Sequence, residues 1–230
     1  MRNTPLLGTV TALVFVLAYQ APGAEPTASS TQPQPAYPAG TADATNSPAP
    51  TTDTLESVPE ISLHKGMNEA GLALGGSIGV KIFGGEQRHD FALQRVYVGR
   101  VVTDDFGENS WYRGDIELFA EAIGGEQFKP RAASFGGVTA IFRYNFDTGK
   151  RWVPFYDIGA GLTATGIGHP DLTGTFEFNL QTGPGVRWMI SQNTALTLQA
   201  RYLHLSNAGI ADPNQGVNTF SFYVGVSWLF

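Results

Sequence analysis

The sequence predicts an all-β fold: an eight-stranded antiparallel transmembrane β-barrel of the outer-membrane type. Four observations predict it. Charged residues make up 15% of the 230-residue chain, against about 25% in ordinary soluble domains. Even so, no run of about 18 or more apolar residues exists outside the N-terminus to form a spanning helix. Eight segments alternate apolar with small or polar residues at the period of a strand. Finally, the polar faces of those segments carry both signs of charge, which a sealed polar lumen can neutralise. The alternative is a soluble lipocalin-like barrel, which would have to leave the outer face of most strands almost uncharged.

Composition removes several function classes. Cysteine is absent, so there is no disulfide framework, thiolate zinc site or acylated terminal cysteine. A net charge of −6 without a basic stripe argues against a nucleic-acid partner. His64, His89 and His169 stand apart without metal-ligand spacing, and no phosphate-loop pattern occurs, so no metal or cofactor is expected.

At the N-terminus, Met1-Arg2-Asn3 precedes an apolar run from Leu6 to Tyr19 and small residues at Ala21, Gly23 and Ala24. This is the shape of a secretory signal, placed at 1–24. A membrane anchor is the alternative, but the run is shorter than the ~20 residues a spanning helix needs. Residues 25–59 are rich in Pro, Thr, Ala and Ser, a composition that buries too little apolar surface to fold. They are read as a disordered periplasmic lead-in, with the barrel occupying 60–230.

The strands follow in order. The first runs from about Ala70 to Ile82. The second, Phe91–Val102, puts Arg95 and Arg100 on opposite parities, which predicts a bulge between them. Trp111–Ala122, Ser134–Phe146, Trp152–Ala164, Phe176–Trp188, Leu196–Ser206 and Asn218–Phe230 complete the eight. Their lengths suit tilted membrane strands, for which about 9–11 residues span the core. The polar faces assign Lys81, Arg113, Arg143, Arg187 and Arg201 to the lumen, with Asp115, Glu117, Glu121, Asp157 and Glu177. Trp111, Trp152, Tyr156, Trp188, Trp228 and Phe230 fall near strand ends, as interfacial girdles require.

Connections after strands one, three, five and seven (near 83–90, 123–132, 165–174 and 207–216) exceed those after strands four and six. Barrels of this type have short periplasmic turns and longer outside loops, so both chain ends are expected in the periplasm. The final aromatic strand, ending in Phe230, looks like a recognition signal for the barrel assembly machinery.

One stretch carries chemistry. His204 and Ser206 share parity with Leu198, Ala200 and Tyr202, and Asn218 shares parity with Phe220 and Phe222, so all three face lipid. A hairpin symmetric about Ala211 sets His204 opposite Asn218, where Cβ atoms are about 4.5–5.5 Å apart. From Phe230, strand eight rises about 30 Å to Asn218 at ~3.3 Å per residue and a ~40° tilt, just beyond the ~25 Å apolar band. The trio is therefore expected at the outer-leaflet interface. Ser206 Oγ needs a base to become nucleophilic, and His204 is placed to act as one. Asn218 would fix the imidazole tautomer, while Asn207 and the turn containing Ala208 and Gly209 would hold a developing oxyanion. A bland reading stands beside this one: polar residues near the interface cost only ~0–1 kcal/mol on the lipid face, so they require no function.

The runs His204-Leu205-Ser206-Asn207-Ala208-Gly209-Ile210 and Pro213-Asn214-Gln215-Gly216-Val217-Asn218 resemble the signature of outer-membrane lipid A 3-O-deacylases, the PagL family. Glu117-Leu118-Phe119, Arg143-Tyr144-Asn145-Phe146, Pro154 to Gly161 and Phe176-Glu177-Phe178-Asn179 with Gln181 add to the likeness, which covers about 110–230. The resemblance implies an outer-membrane esterase that removes the ester-linked 3-position acyl chain of lipid A in lipopolysaccharide. It matches the family serine and histidine to Ser206 and His204. Well-characterised members carry a glutamate where this chain has Asn218. An amide orients His204 but lends no charge to an imidazolium, so the resemblance leaves a catalytically impaired barrel, or an esterase for another lipid, as alternatives. It also leaves open a homodimer, and it implies that Asn218→Glu raises turnover.

Overall fold

Alternation of large outward and polar inward side chains builds eight antiparallel strands, because a strand presents successive residues to opposite faces. The computed structural model describes residues 63–230. The signal-like stretch, the Pro-rich segment and the first residues assigned to the barrel domain lie outside the described residues. The strands are β1 (Asn68–Gly79), β2 (Asp90–Val101), β3 (Gly114–Lys129), β4 (Ala133–Phe146), β5 (Trp152–Thr165), β6 (Phe176–Met189), β7 (Thr194–Ser206) and β8 (Val217–Leu229). Each pairs with its sequence neighbours, and β1 pairs with β8, closing the barrel. Closure leaves no unpaired strand edge, the condition for a sheet to cross a membrane. Asn68 and Phe230 exchange backbone hydrogen bonds at the seam, at 2.8 and 2.9 Å.

The outer face is apolar: Leu72, Leu74, Val96, Val98, Ile158, Leu180, Leu198, Phe222 and Val224 all project from it, exposed. Trp152 and Trp188 are register partners, and with Trp228 they mark one end of the barrel. That end carries the connections 102–113, 147–151 and 190–193, and is called the turn end. The opposite loop end carries 80–89, 130–132, 166–175 and 207–216.

The interior is filled by side chains, as eight strands allow. Arg143 binds Asp157 through two nitrogens at 2.8 and 3.0 Å. Arg201 joins Glu121 at 2.9 Å to Asp157 at 2.7 Å, and Arg95 reaches Glu121 at 2.9 Å. Lower in the barrel, Arg187 pairs with Glu69 and, at 3.0 Å, with Glu117. Burying charge is costly unless each ion meets an opposite one; these arginines, with Glu69, Glu117, Glu121 and Asp157, meet that condition by a shared lattice. Asp115, by contrast, is held by the Asn145 amide at 2.9 Å, and buried Glu177 has no bonded oxygen among the described residues.

Four sequence expectations change. Lys81 and Arg113 are not lumen residues: Lys81 lies in the 80–89 connection, and Arg113 in 102–113 binds Asp147 at 2.7 Å and Asp105 at 3.2 Å. Glu69 and Arg95 take their places inside. No bulge separates Arg95 from Arg100. The β2–β3 register shifts only at Asp90/Phe91, and Arg100 projects outward near the turn end. The third strand continues to Lys129, so the loop expected near 123–132 shrinks to 130–132, while the longest connection is 102–113 at the turn end.

Candidate active site

At the loop end, β7 and β8 run side by side with His204 directly opposite Asn218. Their side chains meet: His204 Nδ1 lies 2.7 Å from Asn218 Oδ1. The amide orientation follows from its other end, because Asn218 Nδ2 donates to the Ile82 carbonyl at 2.8 Å. Asn218 Oδ1 must then accept, so His204 carries its proton on Nδ1 and presents Nε2 as an acceptor. Tyr202 Oη also donates to Asn218 Oδ1, at 2.5 Å. Sequence reading did not single out Tyr202, although its position two residues before His204 put it on the same face.

Asn218 is 2% exposed despite its outward parity. The 80–89 connection explains this by folding over it. Besides the Ile82 bond, Val80 N–H donates to the Asn218 carbonyl at 2.9 Å, and a Cβ on Gly85 would stand 3.4 Å from Asn218 Nδ2. On the other side, Gly216 lies against the imidazole: a Cβ there would come within 2.8 Å of His204 Cε1. Gly216 also has φ +79°, a backbone region where glycine is favoured. The turn therefore needs glycine both for its backbone and for the ring beside it.

Ser206 ends β7, half-buried, on the same face as His204 and opposite Phe178 of β6. Among the described residues, neither Ser206 Oγ nor His204 Nε2 has a hydrogen-bond partner, and no bond joins them to each other. The turn that follows is tightly bonded. Asn207 N–H donates to Asn214 Oδ1 at 2.9 Å, and its Nδ2 to the carbonyls of Thr173 and Ala211 at 3.2 and 3.0 Å. Gly209 N–H donates to Asn207 Oδ1 at 2.9 Å. Asn207 and Gly209 thus spend their donors shaping the turn, while Ala208, at φ 55°, has an N–H without a partner among the described residues. Beside His204, Phe83, Ile158, Leu180, Thr182 and Tyr202 line an outward-facing groove of about 540 Å3.

The fold and the outward, apolar band define an outer-membrane-type β-barrel. Solved structures agree on architecture. The crystal structure of the outer-membrane enzyme PagL matches with TM-score 0.50 at 18% identity, over 66% of this chain and 97% of that one. That of Neisserial surface protein A matches with TM-score 0.53 at 16% identity, over 72% of this chain and all of that one (100%).

Within that class the family is specific: residues 96–227 match the family model for lipid A 3-O-deacylase (PagL), and the chain belongs to this family. Lipid A deacylase PagL of Pseudomonas aeruginosa is 30% identical over 86 residues, covering 36% of this chain. The match spans about half (47%) of that relative's length.

Proposed function

We propose that the protein is an outer-membrane serine esterase that removes the ester-linked 3-O-acyl chain of lipid A. The observation that carries this reading is the His204 Nδ1–Asn218 Oδ1 bond of 2.7 Å on the outward face. It supports a defined tautomer with a basic nitrogen on the side of the barrel where a lipid ester lies.

In the proposed mechanism, Ser206 Oγ attacks the ester carbonyl as His204 Nε2 takes its proton. The imidazolium keeps its Nδ1–H bond to Asn218. The tetrahedral oxyanion is met by the Ala208 N–H, which the turn built by Asn207 and Gly209 presents. Collapse breaks the bond to the sugar oxygen, which leaves with the proton from His204. Water, activated by the same nitrogen, then attacks the acyl-serine and releases the fatty acid. The loop end faces outward in this reading, which puts Ser206 at the outer-leaflet interface and both described strand ends, β1 and β8, in the periplasm. No cofactor enters these steps.

The test is mass spectrometry of lipid A from cells expressing the wild type or Ser206→Ala. Loss of one 3-hydroxyacyl chain only when Ser206 is present supports the reading. Unchanged lipid A in both, with a folded heat-modifiable barrel, would sink it. Loss of an acyl chain from phospholipid instead would keep the chemistry and change the substrate.

A further inference from the structure

Two buried titratable side chains at the loop end are not used by the proposed chemistry. His89, just before β2, and Asp171, in the 166–175 connection, are 3% and 0% exposed. His89 Nε2 lies 2.8 Å from Asp171 Oδ2, and Nδ1 lies 2.7 Å from Gln127 Oε1. Gln127 Nε2 donates to the Arg131 carbonyl at 2.7 Å, which turns its Oε1 toward the ring. Both ring nitrogens therefore face acceptors, and both bonds form only when each nitrogen carries a proton.

Asp171 also gathers the loops around the candidate active site. Its Oδ1 accepts from the N–H groups of Glu86 and Gln87 at 2.6 and 3.4 Å. Its carbonyl accepts from those of Gln215 and Gly216 at 2.8 and 3.2 Å. One tether thus ends on the 80–89 connection, whose Ile82 carbonyl fixes the Asn218 amide. The other ends on Gly216, which abuts His204 Cε1, the ring carbon between the two nitrogens.

We propose that Asp171, clasped by His89, is a positioning residue for the chemical step. It holds the 80–89 and 207–216 connections so that His204 and Asn218 keep the geometry that activates Ser206. This inference rests on the reading of Ser206 and His204 as nucleophile and base. Because Asp171 acts through the base rather than on the lipid, its loss lowers kcat and nucleophile reactivity and leaves KM nearly unchanged.

The experiment uses the full chain in detergent micelles and reads the rate of Ser206 labelling by a fluorophosphonate, with kcat and KM on lipid A. Asp171→Ala removes the side-chain bonds to Glu86, Gln87 and His89 while leaving the carbonyl bonds to Gln215 and Gly216. The loss of that hold on the 80–89 connection is expected to slow both labelling and kcat by roughly 10- to 100-fold, the scale of small misplacements in active sites. Asp171→Asn keeps an acceptor for Glu86 and Gln87 and offers an N–H to a neutral His89, so it is expected to restore most of the rate. Heat-modifiable migration, the sign of a closed barrel, is expected to persist in both. Equal labelling of wild type and Asp171→Ala, or a change in KM alone, would overturn the proposal. Should Asp171→Ala fail to fold, His89→Leu gives the same decision, with unchanged labelling again overturning it. Failure of the underlying reading is distinct: wild type would then resist labelling, and Ser206→Ala would remain active.

Discussion

Replacing Asn218 by Asp asks whether His204 becomes an imidazolium during turnover. Asp has the shape of Asn, so the 2.7 Å contact to His204 Nδ1 can persist, now charge-assisted. For unit charges about 4 Å apart at an effective dielectric between surface and bulk values, the attraction is about 1–4 kcal/mol. Only the part realised in the transition state accelerates the reaction. At 1.36 kcal/mol per decade, the upper bound is roughly 10³-fold and the lower about 5-fold. A penalty arises at the other end, where a carboxylate oxygen replaces the Nδ2 that donates to the Ile82 carbonyl at 2.8 Å. An acceptor left unpaired there costs about 1–3 kcal/mol, but it is present before and during the reaction, so it falls mainly on stability.

The expected outcome is a higher kcat with a lower unfolding midpoint in urea. Asn218→Glu is a poorer test than the family resemblance suggests, because it adds a methylene to a site only 2% exposed; overpacking costs about 1–3 kcal/mol and displaces neighbours. Asn218→Ala removes the acceptor altogether. A hydrogen bond to a charged group is worth about 1.5–3 kcal/mol, so kcat is expected to fall about 10- to 150-fold. Single-turnover release of fatty acid from detergent-dispersed lipid A measures all three. If Asp and Ala variants both turn over at the wild-type rate while folded, His204 is not the base and the reasoning fails.

Other perturbations probe the rest of the molecule. Gly216→Ala puts a methyl 2.8 Å from His204 Cε1 at a φ of +79°, so activity should drop with little change in barrel unfolding; normal kcat would show that the ring is free to move. Arg201→Met leaves the Glu121 and Asp157 carboxylates short of a partner in the lumen, and breaking such buried pairs costs about 3–5 kcal/mol. Urea unfolding followed by tryptophan fluorescence should show it, and an unshifted midpoint would mean that the lattice re-pairs. At the turn end, burial and the neighbouring Asp147 raise the Asp105 carboxyl above its usual range, against the pull of Arg113. A raised carboxyl stabilises the fold at low pH and loses that contribution as pH rises through its folded value. Asp105→Asn should therefore raise the thermal midpoint at neutral pH and leave it unchanged in acid; a uniform shift would point elsewhere.

Much of the barrel was legible because strand parity survives burial. The hairpin arithmetic that placed His204 opposite Asn218 is the observed register, since both flanking strands alternate without interruption. The errors occurred where parity carries no information. The loop expected near 123–132 took in Gly124 and Gly125, yet β3 passes through them. Gly125 is bare because the Phe135 ring occupies the space, 2.2 Å from where a Cβ would stand. Glu69 was missed by starting the first strand one residue late. Arg95 was obscured because Arg100, near the turn end, faces outward on the other parity. The loop contacts were beyond reach for another reason: Asp171 meets His89 across 82 residues of sequence, and no periodicity encodes that.

The amide at 218 suits this arrangement in a way a carboxylate does not. An oxygen acceptor is all that His204 and Tyr202 ask of it, and either side chain supplies one. The Ile82 carbonyl asks for a donor, which only the amide supplies at neutral pH. A single side chain therefore orients the imidazole and closes the 80–89 connection over itself, which leaves the Asn218 end of the bond 2% exposed. A carboxylate would add charge to that bond while releasing the cover over its Asn218 end. Since electrostatic interactions weaken as water enters, the two effects oppose each other. Asn218 therefore trades charge for enclosure, and the Asp variant measures the terms of that exchange.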